Sequence, residues 1–513
     1  MPMNTSGPIS LGGATVGQSI NLEVGAPATS TVSLNDVIVR QLAGVLSGQI
    51  VIPTDFYGKS LAQAWFSQYT YSSPTINYQP NLVAFDNTGV YVRAFVAPAF
   101  TQGFLTRISG DDGSVVYNNQ YVFGPPANPP GTASVIRNSV FDPSKLICLF
   151  TQQNGAPGPG SSSGPLPLYL NKSNGTVSSI SPTRFFGISP SQITGGSSPN
   201  FIIDAPNGNI LMGYSTPPGA GTMLALNQSF SVLSQFSVPA HGGVNQRSFD
   251  RVDNYTGDTI DWFRQGNAPS EPASGSRLTW GHYNLSALNF PINVQYGPMT
   301  PTMGSIAGSV TPTTRHYGNS GGSPSPASPT APRSIWQVNR ANGNINVART
   351  TPATGGFAFP FSFTSRNGNP ANEIAIKTSQ GGNRLRVWDS NLNNTKTWNI
   401  TGSAGVDIID GFFANGFYYG IVNFTYSLPA KFWILKIKDD FSSIASGLTA
   451  TVSGFTLTLT PNNAANLTSF DAPFTSPFNP YSTAGPTGYT TTANNPLTVN
   501  PISSLVTGTK VNI

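Results

Sequence analysis

Ser320 is the first position where the chain could do chemistry. It lies in the segment 318–322, Gly-Asn-Ser-Gly-Gly, which matches the G-x-S-x-G pattern of hydrolases, and His316 stands just upstream. The pattern requires a strand before the serine and a helix after it, so that the hydroxyl projects from a strained turn. A Pro/Ser-rich loop follows here instead. The segment therefore favours a loop, and we expect no catalytic residue.

Metal ligands are equally sparse in the sequence. His241, His282 and His316 have no His or Glu partner three or four residues away, as a helical zinc site would need. The segment 250–258 gathers three aspartates and an asparagine near a turn, but it lacks the spacing and the bidentate glutamate of an EF-hand. Cys148 is the only cysteine, which excludes an internal disulfide and a cysteine-based zinc site. We therefore expect no metal and no cofactor.

Four tryptophans recur at comparable places along the chain: Trp280, Trp336, Trp388 and Trp433. A sugar-binding surface would place such rings on loops at one face of the fold. Recurrence in the same strand of successive units instead favours packing between units, where each ring fills the space beside its neighbour.

Composition decides which elements could position these side chains. Charged residues make up 9% of the chain, against about 25% in an average globular protein, and the net charge is +5. Aromatic residues at 11% can fill a core, while 54 Gly and 44 Pro supply turns. No apolar run approaches the ~18 residues of a membrane span, and no signal peptide is visible at the start. The composition favours many short strands and disfavours helical bundles and disorder.

A repeated hairpin defines the organisation of the chain. Each hairpin consists of a strand with alternating apolar residues, a tight turn and a second strand. Seven such hairpins occur, and their successive starts are 47 to 63 residues apart: Gly103, Leu166, Thr222, Leu278, Ser334, Leu385 and Phe432. Most of these hairpins are preceded by another predicted strand. In several repeats a further strand comes before that one and ends in an Asn-Gly or Asp-Pro turn. Four antiparallel strands in about 50–60 residues correspond to one blade of a β-propeller.

The sequence therefore predicts a mainly β fold, a seven-bladed β-propeller over residues 80–460 with a small N-terminal docking module and an extended C-terminal arm. The alternative is an irregular series of β-sandwiches, which would need linkers that we do not find. Residues 61–79 are expected to be a linker or the first strand. Residues 461–513 are rich in Thr, Asn and Pro with spaced aromatics, and we expect an arm that lies on the propeller or on a neighbour.

Residues 1–60 predict a separate module. Ser33 and Asp36 resemble a capping box, and Leu34, Val37, Ile38 and Leu42 then fall on one face of a short helix. Sixty residues with one short helix bury little surface, so we expect the module to pack on a partner. The residues expected to bury there are apolar or aromatic: Leu11, Ile20, Leu22, Val37, Leu42, Phe56 and Tyr57.

Three segments of this module carry a resemblance to a known group: GPISLGGATVGQSINLEVG, SLNDVIVRQLAG and SGQIVIPTDFYGKS. Their order and spacing resemble a short module near the N-termini of structural proteins of tailed bacteriophages. The resemblance covers about a tenth of the chain. It implies a virion component, in the tail or an appendage, that the module docks onto the particle.

The function expected from the resemblance is that of a non-enzymatic virion protein of the tail, baseplate or tail fibre. It would act in assembly and in attachment to the host surface. Its partners would be other virion proteins, in several copies around a symmetric particle or tail, and a host surface glycan. We expect synthesis in the bacterial cytoplasm, no nucleic-acid partner and no membrane insertion. Two alternatives stay open: a propeller that binds or degrades glycan, and a head-decoration or head-fibre protein.

Overall fold

The structure is a computed structural model of the chain, and it describes most of the residues. The longer ranges outside the described residues are 58–63, 72–76, 98–102, 124–131, 154–162, 187–197, 239–250, 268–275, 300–305, 320–333, 351–362, 366–373, 379–383, 426–430 and 463–489, with shorter gaps elsewhere. In the described part, no helix is long and apolar enough to cross a membrane.

The described residues before position 58 contain two short α-helices and one 3-10 turn. Helix α1 spans Ile20–Glu23, helix α2 spans Val37–Ala43, and the 3-10 turn spans Thr54–Phe56. The predicted capping box is partly present, because the backbone N–H of Ser33 donates to Asp36 Oδ2 at 2.8 Å. Helix α2 nevertheless starts at Val37, later than the sequence suggested, and Leu34 lies ahead of it.

Beyond residue 64 the described residues are mainly antiparallel strands, which form seven sheets of four or more strands, named A to G here. Strands β1 (Trp65–Tyr71) and β2 (Asn77–Tyr78) come first. Sheet A contains β3 (Asn81–Asp86), β4 (Gly89–Ala97), β5 (Gly103–Ser109) and β6 (Val115–Phe123), and β2 also pairs with β4. Sheet B contains β7 (Thr132–Asn138), β8 (Lys145–Gln153), β9 (Ser163–Asn171) and β10 (Val177–Ile180), and β11 (Thr183–Phe186) follows it.

The next three sheets each have four consecutive strands. Sheet C contains β12 (Ser198–Asp204), β13 (Ile210–Thr216), β14 (Ala220–Leu226) and β15 (Val232–Val238). Sheet D contains β16 (Arg251–Thr256), β17 (Thr259–Asn267), β18 (Ser276–Asn284) and β19 (Asn289–Met299). Sheet E contains β20 (Ile306–Val310), β21 (Thr314–Asn319), β22 (Ser334–Asn339) and β23 (Ile345–Thr350).

The last two sheets recruit strands from elsewhere in the chain. Sheet F contains β24 (Phe363–Ser365), β25 (Ile374–Thr378), β26 (Arg384–Trp388) and β27 (Asn394–Gly402), followed at its outer edge by β32 (Phe455–Pro461) and β31 (Leu448–Val452). Sheet G contains β28 (Ile408–Ala414), β29 (Phe417–Thr425), β30 (Lys431–Lys438) and then β1. The remaining strands are β33 (Thr490–Ala493), β34 (Leu497–Pro501) and β35 (Leu505–Asn512).

Six of the seven predicted hairpins are confirmed, and the seventh is wrong. The hairpin expected after Phe432 does not form, because β1 pairs with β30, with Trp65 opposite Lys436 and Tyr69 opposite Phe432. The chain after β30 instead makes a 3-10 turn and adds the hairpin β31–β32 to the edge of sheet F. An N-terminal strand thus supplies the fourth strand of the last sheet.

The first strands of the seven sheets contact one another in a closed cycle. In order, β3 contacts β7, β7 contacts β12, β12 contacts β16, β16 contacts β20, β20 contacts β24, β24 contacts β28, and β28 returns to β3. Antiparallel four-stranded sheets repeated around an axis are the arrangement of a β-propeller. The fold is therefore mainly β and propeller-like, and the seven sheets are called the ring below.

The strand order gives each sheet two distinct ends. Connections between the first and second strands, and between the third and fourth, leave from one end, called the turn end. The other connections leave from the opposite end, called the loop end. Tight turns at the turn end use the residue types that the sequence indicated: Gly113, Gly175 and Gly343 have positive φ of 74°, 69° and 76°. Each follows an Asp or Asn whose side chain accepts the N–H two residues further on.

The core consists of layers between neighbouring sheets. Strand β8 shows how one strand serves two layers, because successive side chains point to opposite faces of a sheet. Leu146, Cys148 and Phe150 pack toward sheet A, whereas Ile147 and Leu149 pack toward sheet C. A strand buried on both faces reads as an unbroken apolar run, as residues 146–150 do.

The end of the chain runs along the outer edges of three neighbouring sheets. Strand β33 pairs with β11 beside sheet B, β34 pairs with β6 of sheet A, and β35 pairs with β1 of sheet G. We call residues 490–512 the strap. It crosses from sheet A to sheet G, where the ring is closed by β1. Since exposed strand edges invite pairing with other chains, the strap also protects these edges.

Candidate functional site

The N-terminal module is the candidate interaction site, and its first half is folded by backbone and side-chain hydrogen bonds. The segment at Ser10 runs beside the start of α1: Ser10 N–H donates to Gln18 O at 2.8 Å, and Ile20 N–H donates to Ser10 O at 2.9 Å. Asn21 is buried, and its Nδ2 donates to Ser30 O at 2.6 Å. These bonds hold α1 against the chain on both sides.

The second half of the module is closed by three polar side chains. Arg40 of α2 donates from Nη2 to Asn35 Oδ1 at 2.8 Å and from Nη1 to Gly48 O at 3.1 Å. Asp55 Oδ2 accepts the N–H of Val51 at 2.7 Å. Tyr57 donates its hydroxyl to Gly7 O at 2.7 Å, which joins the two ends of the module.

The module has a hydrophobic core of its own. Three residues predicted to dock on a partner, Ile20, Leu42 and Phe56, are fully or almost fully buried in it, together with Met3, Val39, Ala43 and Ile50. Their burial therefore needs no partner protein. Sequence periodicity missed Met3, because it belongs to no element with a regular pattern.

The other predicted docking residues are placed differently. Leu22 and Tyr57 are partly buried, while Leu11 is 37% exposed. Val37 begins α2, and its side chain lies outside the described part of the chain. Val51, which is not among the predicted docking residues, is 48% exposed. The large exposed hydrophobic side chains of the module, among its described residues, are therefore Leu11 and Val51. The docking role of all these residues stays a prediction.

Three of the four serine and histidine residues considered for chemistry lie wholly or partly outside the described residues. Ser320 and His241 lie outside the described residues, and His316 lies in β21 with its side chain outside them. His282 is buried in sheet D, where it stacks on Tyr255 at 4.4 Å and meets Trp280 edge-on at 4.7 Å. No group of three or more His, Cys, Asp or Glu side chains that could hold a metal occurs among the described residues.

The aspartates of segment 250–258 lie in different places. Asp250 is outside the described residues, and Asp253 lies within β16. Asp258 lies in the following turn and accepts hydrogen bonds from the Asn207 N–H at 3.2 Å and from the Ser286 hydroxyl. Because Asn207 belongs to sheet C and Ser286 to sheet D, this carboxylate connects two neighbouring sheets.

The described tryptophans of the repeated position are packed as the sequence predicted. Trp280 is fully buried, and Trp433 stacks on Phe455 with ring centroids 4.0 Å apart between sheets F and G. Core packing is thus confirmed for these two. Trp336 and Trp388 lie in β22 and β26, and their side chains are outside the described residues.

Polar contacts join the turn ends of neighbouring sheets. Tyr69 of β1 donates to Gly113 O, and Tyr121 of β6 donates to Gly175 O, both at 2.7 Å, so the fourth strand of one sheet reaches the tight turn of the next. Between sheets D and E, Arg340 Nε lies 2.9 Å from Asp261 Oδ2, and both side chains are almost fully buried. These pairings between distant residues could not be found from local sequence patterns.

Lys436 of β30 makes the most unusual of these contacts. It is fully buried, and its Nζ donates to Gly110 O of sheet A at 2.6 Å. Nζ also lies 4.1 Å from the ring centroid of Phe417. Burial lowers the pKa of Lys436 from 10.5 to about 7, against the opposing effect of Asp111 and Asp112 and with a smaller contribution from Lys510. The closing seam of the ring therefore contains a lysine close to losing its proton at neutral pH.

Comparison with known proteins assigns the chain to no family. No family model and no curated protein matches the chain. The β-propeller domain of the Trilobed protease from Pyrococcus furiosus is 8% identical, with 72% of this chain and 95% of that chain covered and a TM-score of 0.39. Protein lmo1340 from Listeria monocytogenes EGD-e is 9% identical, with 68% and 92% covered and a TM-score of 0.37.

Proposed function

We propose that the protein is a virion component of a tailed bacteriophage: a seven-bladed β-propeller that an N-terminal module docks onto the tail, baseplate or tail fibre. It acts there in assembly, without catalysis, and presents one end of the propeller to the host surface. Each of sheets A to G is one blade, and β1 completes the last blade.

The observation that carries the proposal is the separate hydrophobic core of the module. Its described residues bury Met3, Ile20, Leu42 and Phe56 against one another in a cluster that contains no residue of the sheets. Its segment order resembles the short docking modules of phage structural proteins. A folded unit with exposed Leu11 and Val51 at its surface is suited to bind a second protein, since exposed apolar side chains gain most from burial at an interface.

Chain connectivity supports one orientation on the particle. Strand β1 starts at the turn end of sheet G, since Trp65 pairs with Lys436 near the end of β30. Seven residue steps separate Tyr57 from Ala64, and an extended chain spans at most about 3.6 Å per residue, so the module lies within about 25 Å of the turn end. Docking through the module therefore brings the turn end toward the particle and leaves the loop end to face outward.

The test measures incorporation into particles. Phage that carry a deletion of residues 1–60, or the double substitution Leu11→Ser and Val51→Ser, should yield virions that lack the protein. The matched control is Val116→Ser with Leu233→Ser, because these residues are similarly exposed on sheets A and C. Thermal unfolding of each purified variant checks that the sheets remain folded.

The proposal fails if the truncated protein enters purified virions at its normal copy number. It also fails if the control variant is lost from particles to the same extent as the module variant, because incorporation would then depend on surface hydrophobicity in general.

A further inference from the structure

One turn of the ring exposes two large apolar side chains next to each other. Val140 and Phe141 lie in the connection between β7 and β8, at the turn end of sheet B, and they are 41% and 39% exposed. We call these two residues the apolar tip. The corresponding connections of the other six sheets contain no large aliphatic or aromatic residue; they are residues 87–88, 205–209, 257–258, 311–313, 366–373 and 415–416.

A buried carboxylate of the neighbouring sheet holds the turn that carries the apolar tip. Asp204 of sheet C accepts the N–H of Val140 at 2.7 Å and the hydroxyl of Ser139. The hydroxyl of Tyr169, from β9 of sheet B, donates to Asp204 at 3.1 Å. These bonds use backbone groups and polar side chains, so the turn can form without the apolar side chains of the tip.

The second half of the turn is fixed as well. The N–H of Ser144 donates to Asp142 Oδ1 at 3.0 Å, and the N–H of Lys172 donates to Ser144 O at 2.9 Å. Lys145 Nζ lies 3.1 Å from Asp142 Oδ2, so these two charges beside the tip are paired. The tip therefore keeps its position before any partner binds, and a preformed contact loses less conformational entropy on binding.

The area of the apolar tip limits what covers it. At roughly 200 Å² for a fully exposed large side chain, Val140 and Phe141 together expose about 150 Å². A stable dimer of two identical copies needs about 800 Å² from each. The tip alone is therefore too small to hold a second copy, and its size is that of an aromatic anchor within a larger interface.

The N-terminal module provides the rest of such an interface, at the same end of the ring. Sheet A lies between sheets G and B, and sheets packed face to face are about 10 Å apart, so the tip lies about 20 Å from the sheet that contains β1. A partner surface that faces the turn end is thus within reach of Leu11 and Val51 of the module and of the tip. Two linked contacts bind more tightly than either alone, because the second forms within a complex that already exists.

We propose that the apolar tip is a second attachment point, which inserts into an apolar pocket of the same particle protein that receives the module. The pocket needs no charge to match the tip, since the neighbouring Asp142 and Lys145 pair with each other. The proposal rests on the function proposed above and deepens it, because it assigns a partner contact to one turn of sheet B.

The test measures binding to particles that lack the protein, purified from phage in which its gene is deleted. The double variant Val140→Ser and Phe141→Ser should bind these particles at least about tenfold more weakly than the unmodified protein in a sedimentation assay. The matched control is Val116→Ser with Leu233→Ser, whose side chains are similarly exposed on sheets A and C, and it should change binding less than about twofold. Thermal unfolding compares the stability of the two variants.

Cysteine labelling gives a second measurement, which does not depend on the strength of binding. Cys148 is the only cysteine of the chain and is buried, so the substitution Val140→Cys introduces the one exposed thiol. In the free protein, Val140→Cys and the control Leu233→Cys should both react with a maleimide. In purified virions, Val140→Cys should lose this reaction, whereas Leu233→Cys should keep it.

The proposal is overturned if the tip variant binds particles as tightly as the unmodified protein, or if the control variant is weakened equally. It is also overturned if Val140→Cys remains reactive in virions, and this result decides if the tip variant unfolds at a lower temperature than the control. Protection of Val140→Cys in the free protein would likewise contradict it, because the module of the same chain or a second copy would then cover the tip.

Failure of this proposal is distinguishable from failure of the proposed function. If the module variant is lost from particles and the tip substitutions have no effect, the proposed function stands and the second attachment point alone is wrong. If the unmodified protein does not bind particles at all, both are wrong.

Discussion

Replacement of Lys436 by methionine should change how the stability of the protein depends on pH. Lys436 is fully buried at the seam between sheets G and A, where its Nζ donates to Gly110 O. An unfolded chain keeps a lysine protonated up to about pH 10.5, whereas the folded protein holds the pKa of Lys436 at about 7. Between these values the unfolded state binds one more proton than the folded state.

The sign and size of the effect follow from that difference. The free energy of unfolding rises with pH wherever the unfolded state binds more protons. Each pH unit between about 7 and 10.5 should therefore add about 1.4 kcal/mol to the stability of the wild type relative to Lys436→Met. From pH 7 to pH 9 the difference between the two proteins should shift by about 2–3 kcal/mol, and below pH 7 it should be nearly constant.

Urea unfolding followed by tryptophan fluorescence at pH 6, 7, 8 and 9 provides the measurement. Lys438→Met is the control, because it removes an exposed cation two residues further along the same strand. Loss of the hydrogen bond to Gly110 O shifts the stability of Lys436→Met by the same amount at every pH and leaves the slope unaffected. Parallel curves for the wild type and Lys436→Met would refute a lowered pKa at this lysine.

Two further predictions concern the turns and the strap. Gly175→Ala should destabilise the protein by about 2–3 kcal/mol in the same urea assay, because φ is 69° and a Cβ would lie 2.5 Å from Asn119 Nδ2. Gly257→Ala, with a φ of 52° and open space around a Cβ, should cost only the backbone strain of about 1–2 kcal/mol, and equal losses would contradict the close approach. Deletion of residues 490–513 should lower the unfolding temperature and produce oligomers in size-exclusion chromatography, since the edges of β11, β6 and β1 lose their partners. A monomer of unchanged stability would show that the strap has no such role.

The proposed function gives the two ends of the ring different tasks. The turn end is joined from sheet to sheet by contacts such as Tyr121 with Gly175, and it receives the module through β1. The loop end carries the longer connections between strands. Under this proposal the end with the longer connections faces the host, and long loops tolerate sequence changes without disturbing the strands that support them.

Local patterns in the sequence were sufficient for the repeated unit. Alternating apolar residues and turns rich in Asn, Asp, Ser or Gly located six hairpins, because strand periodicity and turn conformation depend on neighbours a few residues apart. The buried position of Trp280 also followed from recurrence. In the module, the capping pair Ser33 and Asp36 indicated helix α2, although its start was shifted to Val37.

The tertiary structure alone decided how the ring closes and what holds it closed. Residues Tyr69 and Phe432 lie opposite each other although the chain between them contains most of the protein. The Lys436 contact with Gly110 spans 326 residues, and the Asp261 contact with Arg340 spans 79. Likewise, Ile20, Leu42 and Phe56 were identified as apolar, but whether a partner or the module itself covers them depended on distant Met3 and Ile50. A sequence pattern reports which side chains must be buried, whereas the partner that buries them depends on chain segments whose approach no local preference encodes.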